Sequence, residues 1–401
     1  MLHLLRRPTA KPPVNALILS GGGARAAYQV GVLRAVAELY PEVENPFEVI
    51  CGTSAGAINA AAIAAYPGLF KASIEALAET WFKLEIDQVY RTSWYSLLKG
   101  ASQIGWSLLR GQKSYEGSPL GLLDSSPLQH FLEERIPFRQ IPVKIRRGQL
   151  KAISITALGY NTGRSIAFYD AHKGVSDWQR YRRSGRRDRI GVEHLMASSA
   201  IPLVFPAHNI RDEYFGDGAM RQVAPISPAL HLGADRAFII GVSGNRNLNP
   251  EEPKPPRIPL NRTPSMAQIV GQLFNAAFID SLEGDIEHLE RVNLLLSKLT
   301  PKQIAKDPQL AGLKPIDTLI ISPSKNIDEI AAANVHKLPD ALRFFMRRSG
   351  ATSKGGGSAA ASYLTFTRQY TEDLIKLGFQ DAMNQKADIA LFFKDVNTDA
   401  S

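Results

Sequence analysis

The chain has 401 residues, of which 44% are hydrophobic and 21% charged, an ordinary balance for a soluble globular protein able to bury a core. That length allows two or three domains or one large one. The formal charge of +9, from 47 Lys and Arg against 38 Asp and Glu, favours contact with anionic surfaces. No recognised nucleic-acid motif accompanies it, so nucleic acid is not an expected partner.

The N-terminus carries Arg6, Arg7 and Lys11 but then reaches Pro12-Pro13 instead of the apolar stretch of a signal peptide. No run of about 18 apolar residues offers a membrane-spanning helix. A cytoplasmic location is therefore expected, with peripheral membrane contact left open. The single cysteine, Cys51, cannot form an internal disulfide framework and is read as a buried structural residue closing an apolar strand.

In chain order, Val14 to Ser20 reads as a buried strand, followed by Gly21-Gly22-Gly23 and a helix from about Ala24 to Tyr40. Val32, Leu33, Val36 and Leu39 share one face of that helix, and Pro41 stops it. Phe47 to Cys51 is a second strand, Gly52 to Gly56 a turn, and Ala57 to Tyr66 a second helix. Asp87 to Asp124 reads as a loop-like, weakly amphipathic insert in which Tyr90, Trp94, Tyr95, Leu98 and Trp106 alternate with Lys99, Arg110 and Lys113. It is a candidate lid or membrane-contact patch, ordinary burial of its aromatics being the competing reading. Strands follow at Ala152 to Ala157 and Ser165 to Tyr169. The run Arg180 to Arg189 holds six arginines and reads as a solvated loop or a contact for anionic lipid.

A further pair of strands, Ala207 to Ile210 and Glu213 to Phe215, turns at Arg211-Asp212. Arg236 to Val242 and Thr318 to Ser322 are continuous apolar runs of the kind buried in parallel sheets. Asn247 to Pro264 is a proline-rich crossover. Met266 to Leu299 and Ala361 to Gly378 read as long amphipathic helices, and Ser353 to Ser358 as a flexible link. Strands alternating with helices predict an α/β fold with a mostly parallel sheet. The expected organisation is a core over 14–245, the insert at 87–124, and a mainly helical region over 246–401 that packs on the core and adds a strand near 318–322.

Three short segments carry chemistry. Gly52-Thr53-Ser54-Ala55-Gly56 has the Gly-x-Ser-x-Gly spacing, which a chain this long shows by chance roughly one time in ten. Its setting between an apolar strand and a small-residue helix is that of a nucleophile elbow, where the glycines at 52 and 56 let the chain pass a strained serine. Ser54 is thus a candidate nucleophile at a helix N-terminus that favours developing negative charge; helix capping by that serine is the plainer alternative.

Gly21-Gly22-Gly23-Ala24-Arg25 lets backbone N–H groups approach an anion, as a phosphate cradle or an oxyanion hole. Gly21, Gly23 and Ala26 also satisfy a dinucleotide-binding spacing, but the second strand ends in Cys51-Gly52-Thr53-Ser54 without the acid that would hold a ribose. Gly216-Asp217-Gly218-Ala219 ends a strand, on the side of an open sheet where Ser54 also falls. A serine–histidine–acid order would place the base at His231, a residue that otherwise reads as the end of a helix. The alternative is Asp217 receiving the Ser54 proton directly, which requires a desolvated carboxylate.

Together these segments resemble the patatin-like phospholipase family: Gly21-Gly22-Gly23-Ala24-Arg25, Gly52-Thr53-Ser54-Ala55-Gly56 and Asp217-Gly218-Ala219 match in order and context. Ala197-Ser198-Ser199-Ala200-Ile201-Pro202, then Phe205-Pro206, resembles a further family block. The resemblance spans about Ala16 to Ser243. It implies a three-layer α/β/α sandwich with a mostly parallel central sheet, to which the C-terminal helices are added. It also implies a Ser54–Asp217 dyad with no cofactor or metal, and lipid acyl esters as substrates.

The expected activity is hydrolysis of lipid acyl esters of phospholipase A or lysophospholipase type. Gly21, Gly22, Gly23, Ala24 and Ala55 would form the oxyanion hole, and Arg25 would bind a phosphate headgroup or brace the loop. A serine esterase or thioesterase acting on other substrates, an oxidoreductase binding a nucleotide, and a non-catalytic membrane-binding regulator are the alternatives.

Overall fold

The computed structural model describes residues 12–91, 93–110, 121–243, 263, 265–307, 310, 313–348 and 358–395. Among these residues ten strands form one sheet: β1 (Asn15–Leu19), β2 (Val49–Thr53), β3 (Ala152–Gly159), β4 (Ser165–Ala171), β5 (Trp178–Arg180), β6 (Arg183–Arg187), β7 (His208–Ile210), β8 (Glu213–Asp217), β9 (Arg236–Ile240) and β10 (Asp317–Ile321). Their order is β10-β9-β1-β2-β3-β4-β6-β5, and the first five of that series run parallel.

The helices of the first half are α1 (Ala27–Leu39), α2 (Ala55–Ala65), α3 (Phe70–Lys83), α4 (Ile86–Val89), α5 (Trp94–Arg110), α6 (Ser126–Arg135), α7 (Ile141–Arg146), α8 (Val192–Ser198) and α9 (Ser227–His231). After β9 come α10 (Met266–Asn275), a π turn over Ala276–Asp280, α11 (Ser281–Ser297) and α12 (Pro301–Lys306). Beyond β10 lie α13 (Ile327–Asn334), α14 (Asp340–Arg348), α15 (Ser358–Leu364), α16 (Arg368–Asn384) and α17 (Lys386–Phe392).

Side-chain alternation along the strands sorts the core into two layers. Leu17 and Leu19 of β1, Ile50 of β2 and Phe238 of β9 pack with α1, α2, α3 and α16 on one face. Ala16, Ile18, Val49 and Ile239 pack with Ala229 of α9 and Leu282 and Ile286 of α11 on the other. The result is the α/β/α sandwich expected, with a mostly parallel sheet. The C-terminal helices share its core. At the crossing of α1 and α16, Gly31 and Gly378 bring two backbones so close that a Cβ would stand 2.0 Å from the Ile375 carbonyl or 2.2 Å from that of Tyr28.

One lane of the sheet brings Ser54 and Asp217 together. β2 pairs with β3 up to Thr53↔Thr156 and stops. β8 enters the same lane from the opposite end, antiparallel to β3, and its last residue pairs as Ala157↔Asp217. The C-terminus of one strand therefore meets the C-terminus of the other, and Ser54 meets Asp217.

The long helix expected over Ala361 to Gly378 is interrupted at 365–367, between α15 and α16, and two other regions also differ from the sequence reading. The arginine-rich run is an edge hairpin of β5 and β6, not a loop, turning through Arg182 at φ 55°. Trp178 explains it: the indole stacks on Tyr169 at 5.0 Å and covers Gly185, where any side chain would collide with the ring. Arg187 donates to the carbonyls of Ala171, His172 and Val175, so its charge holds the hairpin to the sheet.

The insert is the second difference. It contains a helix, α5, where serines and glycines at Ser96, Gly100, Ser102 and Gly105 had obscured the helical signal. Gly100 packs against Leu122, a Cβ there falling 2.5 Å from the Leu122 carbonyl, so tertiary contact overrides weak propensity. Residues 111–120, most of the Asn247 to Pro264 crossover and all of the Ser353 to Ser358 link except Ser358, which opens α15, lie outside the described residues.

Candidate active site

β2 ends in an elbow because the residues around Ser54 leave no room for anything else. Ser54 adopts φ 54°, ψ −131°, a conformation that L residues hold only under local constraint. A Cβ on Gly52 would lie 2.5 Å from the Gly56 carbonyl oxygen, and one on Gly56 would lie 2.3 Å from that of Leu19. Glycine at both positions thus lets strand, elbow and α2 interlock. The Ser54 N–H donates to Ser198 Oγ at 2.8 Å, and Ser198 in turn donates to the Thr156 carbonyl at 2.6 Å. Ser198 belongs to the Ala-Ser-Ser-Ala-Ile-Pro block, but nothing in sequence spacing marked it as the residue that pins the elbow.

Ser54 Oγ donates to Asp217 Oδ2 at 2.6 Å, and the other carboxylate oxygen accepts from the Ala219 N–H at 2.9 Å. Asp217 is wholly enclosed, and its own N–H donates to the Ala200 carbonyl. Burial pushes the carboxyl up to about 7, against the lowering effect of the bonds from Ser54 and Ala219. Gly218 makes the turn possible, since a Cβ would fall 2.1 Å from the Thr156 carbonyl.

The glycine loop arrives from the end of β1. A Cβ on Gly21 would stand 3.0 Å from that of Ser54, which places the loop against the elbow. Gly23, at φ 54°, opens a short 3-10 turn through Ala26 that leads into α1. Ser54 sits at the N-terminal boundary of α2 without a side-chain capping bond, and Ala55 is the first helical residue. The first amides of a helix lack carbonyl partners within it, so two helix starts converge beside the Ser54 hydroxyl.

Arg25, expected either to contact a headgroup or to brace the loop, is 2% exposed. Its guanidinium bonds Asp328 Oδ1 at 2.6 Å and Ser362 Oγ at 2.8 Å, and lies 4.0 Å from the Tyr363 ring centroid. Its guanidinium is thus enclosed by protein groups and lies away from solvent.

His231 is held elsewhere. Its ring stacks on Trp178 at 4.7 Å, and burial, with help from Arg180 and Arg183, pushes its pKa down to about 4. Cys51 is buried, and its thiol is pushed up to about 12. Among the described residues no group of three or more His, Cys, Asp or Glu is arranged to hold a metal ion.

Gly23, Ser54 and Ala55 lie at one end of a cavity with about 1030 Å³ of space free of protein atoms, its open mouth included. Its floor is a stripe of α2 formed by Ala55, Ile58, Ala62 and Tyr66, spaced at three and four residues. Leu77 and Trp81 of α3 and Leu128, Phe131 and Leu132 of α6 form the walls. Ser73 and Thr80 also line it, but their hydroxyls turn back to the carbonyls of Phe70 and Ala76, so the lining is mostly apolar, with Arg135 and Ser199 as further polar members. From Ser54 to Tyr66 the stripe runs about 18 Å at the helical rise.

A family-wide sequence model described as patatin-like phospholipase matches residues 17–230. Over 233 residues the chain is 28% identical to a cGAMP-activated phospholipase of Pseudomonas aeruginosa (strain BWHPSA011 / Pa011), covering 56% of this chain and 57% of that protein. It is 26% identical over 220 residues to a cGAMP-activated phospholipase of Escherichia coli (strain TW11681), covering 52% and 53% respectively. The aligned region thus spans little more than half the length of these curated relatives. Human GIVD cytosolic phospholipase A2, solved with methyl gamma-linolenyl fluorophosphonate, superposes with a TM-score of 0.43 at 12% identity, over 96% of this chain and 59% of that one. With its family signature covering more than half of the sequence, the chain belongs to the patatin-like phospholipases.

Proposed function

We propose that this protein hydrolyses long-chain lipid acyl esters, with Ser54 as nucleophile and Asp217 as its base. The observation that carries the reading is the 2.6 Å contact between Ser54 Oγ and a fully buried carboxylate at the end of an apolar cavity. A carboxylate in water is a poor base for a hydroxyl. Desolvation raises its proton affinity towards the operating pH, which is what a one-step proton transfer from serine needs.

In the first half-reaction Ser54 Oγ attacks the ester carbonyl carbon while its proton passes to Asp217 Oδ2. Negative charge develops on the carbonyl oxygen, towards the amides of Gly22 to Ala24 and of Ala55. Collapse breaks the ester C–O bond, and Asp217 returns the proton to the departing alcohol. Asp217 then takes a proton from water, whose oxygen attacks the acyl carbon; the bond to Ser54 Oγ breaks, Asp217 returns the proton to that oxygen, and the carboxylic acid leaves. The acyl chain lies along the Ala55, Ile58, Ala62 stripe, where burial of methylenes binds it without a polar partner.

The α5 insert is the proposed membrane contact. Trp94, Tyr95, Leu98 and Trp106 are all exposed, and the helix carries basic but no acidic residues. Among the described residues no helix is long and apolar enough to cross a membrane. A fluorophosphonate probe tests the core assignment. Wild type should be labelled and Ser54→Ala should not, whereas undiminished labelling of Ser54→Ala would sink the reading.

A further inference from the structure

Residues 17–230 carry the family signature, yet the arginine of the glycine loop makes its ion pair far outside them. Arg25 reaches Asp328, in the first turn of α13, and Ser362, in α15. Ser362 is itself fixed by donating to the Ala359 carbonyl at 2.6 Å. Next to it, Tyr363 closes on the loop twice. Its ring lies under the Arg25 guanidinium, and its carbonyl oxygen would stand 2.2 Å from a Cβ at Gly23. The same ring packs on Phe274 and Phe278 at 5.4 and 5.1 Å, and the Phe278 ring covers Gly21. Each end of the Gly21-Gly22-Gly23 segment is thus pressed by a residue from the C-terminal region.

We propose that Asp328, Ser362 and Tyr363 are positioning residues for the reaction, acting through Arg25 to hold the loop amides where the oxyanion forms. The inference rests on the proposed hydrolase activity. Its physical basis is that amides stabilise a transition state only when fixed in advance, and free rotation of the loop would have to be frozen at each turnover. A buried guanidinium stacked on an aromatic ring and bonded on two sides leaves the loop one orientation. The carboxylate matters because a guanidinium enclosed to this degree is costly to bury without an opposite charge beside it. A displacement of about 1 Å in such a constellation lowers turnover by roughly a hundredfold.

The test compares wild type with Asp328→Asn, Asp328→Glu and the double variant Arg25→Met/Asp328→Leu. Hydrolysis of a water-soluble p-nitrophenyl ester is followed alongside thermal melting and the rate of fluorophosphonate labelling. Asp328→Asn should lower kcat roughly tenfold to a hundredfold with KM unchanged, and slow labelling by a similar factor, because the probe uses the same oxyanion site. Asp328→Glu should recover part of that loss. The double variant, which replaces the ion pair by apolar groups, should regain melting temperature without regaining kcat.

Wild-type kcat in a folded Asp328→Asn protein would overturn the proposal. So would a kcat in the double variant that recovers in step with its melting temperature, since the role would then be stability alone. A raised KM with kcat intact would also overturn it, since the pair would then serve substrate binding. An inactive, unlabelled wild type would instead refute the hydrolase reading itself.

Discussion

The signature-bearing part of the chain, residues 17–230, and the region from Met266 onward meet at one site but leave different traces in sequence. The first holds the proposed reacting groups, and the steric demands around Ser54 and Asp217 leave glycines at fixed spacing. The second supplies Asp328, Ser362 and Tyr363, ordinary helix residues whose significance lies in what they touch. Chemistry constrains residue type at a point; support constrains only shape and charge, which many sequences provide. The comparison therefore predicts steep losses of activity from changes in the first region and graded ones from the second.

The largest effect should come from Ser54→Ala and Asp217→Asn, each reducing turnover by about a thousandfold or more while the protein stays folded. Steady-state hydrolysis with melting controls checks this; a graded loss at Asp217 would erase the contrast between the regions. A pH series sharpens it further. Below about 7, where Asp217 carries a proton, kcat should fall about tenfold per unit.

Stability has the opposite sign. Because burial raises the Asp217 pKa, the neutral carboxyl is the form that folding favours. Its stabilisation is complete below the usual carboxylate range near 4 and is lost as pH rises through about 7. Asp217→Asn should therefore gain melting temperature relative to wild type by a few degrees between pH 5 and pH 8. A difference that stays flat with pH would mean that the carboxylate is not desolvated in solution.

After the tenfold to hundredfold loss expected at Asp328, Ala62→Trp should act more selectively. An indole there would fill the middle of the acyl cavity, so hydrolysis of palmitoyl esters should drop several-fold while acetyl and butyryl esters react as before. Equal losses across chain lengths would place the acyl chain elsewhere. The smallest effects belong to His231→Gln and Cys51→Ala. Both residues sit away from the Ser54 hydroxyl, on Trp178 and inside a strand, and kcat should move by less than about twofold.

The legibility of the fold and site in the sequence divides along the same line. The parallel strands announced themselves as apolar runs, and the three glycine-flanked segments pointed to Ser54, Asp217 and the loop because steric crowding admits no other residues there. The β5–β6 hairpin was hidden because its stabilising contacts, Trp178 on Tyr169 and Arg187 on three carbonyls, cross between strands and leave no period along the chain. The α5 helix was hidden for the related reason that Gly100 serves packing against Leu122 at the expense of helix propensity. Ser198 and Asp328 act by contact over long sequence separations, at 144 and 303 residues, and no single-sequence spacing encodes such a pairing.

The lane shared by β2 and β8 also bears on how the protein acquires its reactivity. Ser54 and Asp217 lie 163 residues apart and come together only when the C-terminal tip of β8 docks on β3 beyond the point where β2 ends. Nothing local can assemble half of the pair. During refolding, a chain in which β8 had not yet docked would lack the proposed base, and Ser54 would gain it only when that strand finds its place. On the proposed mechanism, covalent capture of Ser54 would then time the docking of that strand, and a newly made chain would hydrolyse no ester before it.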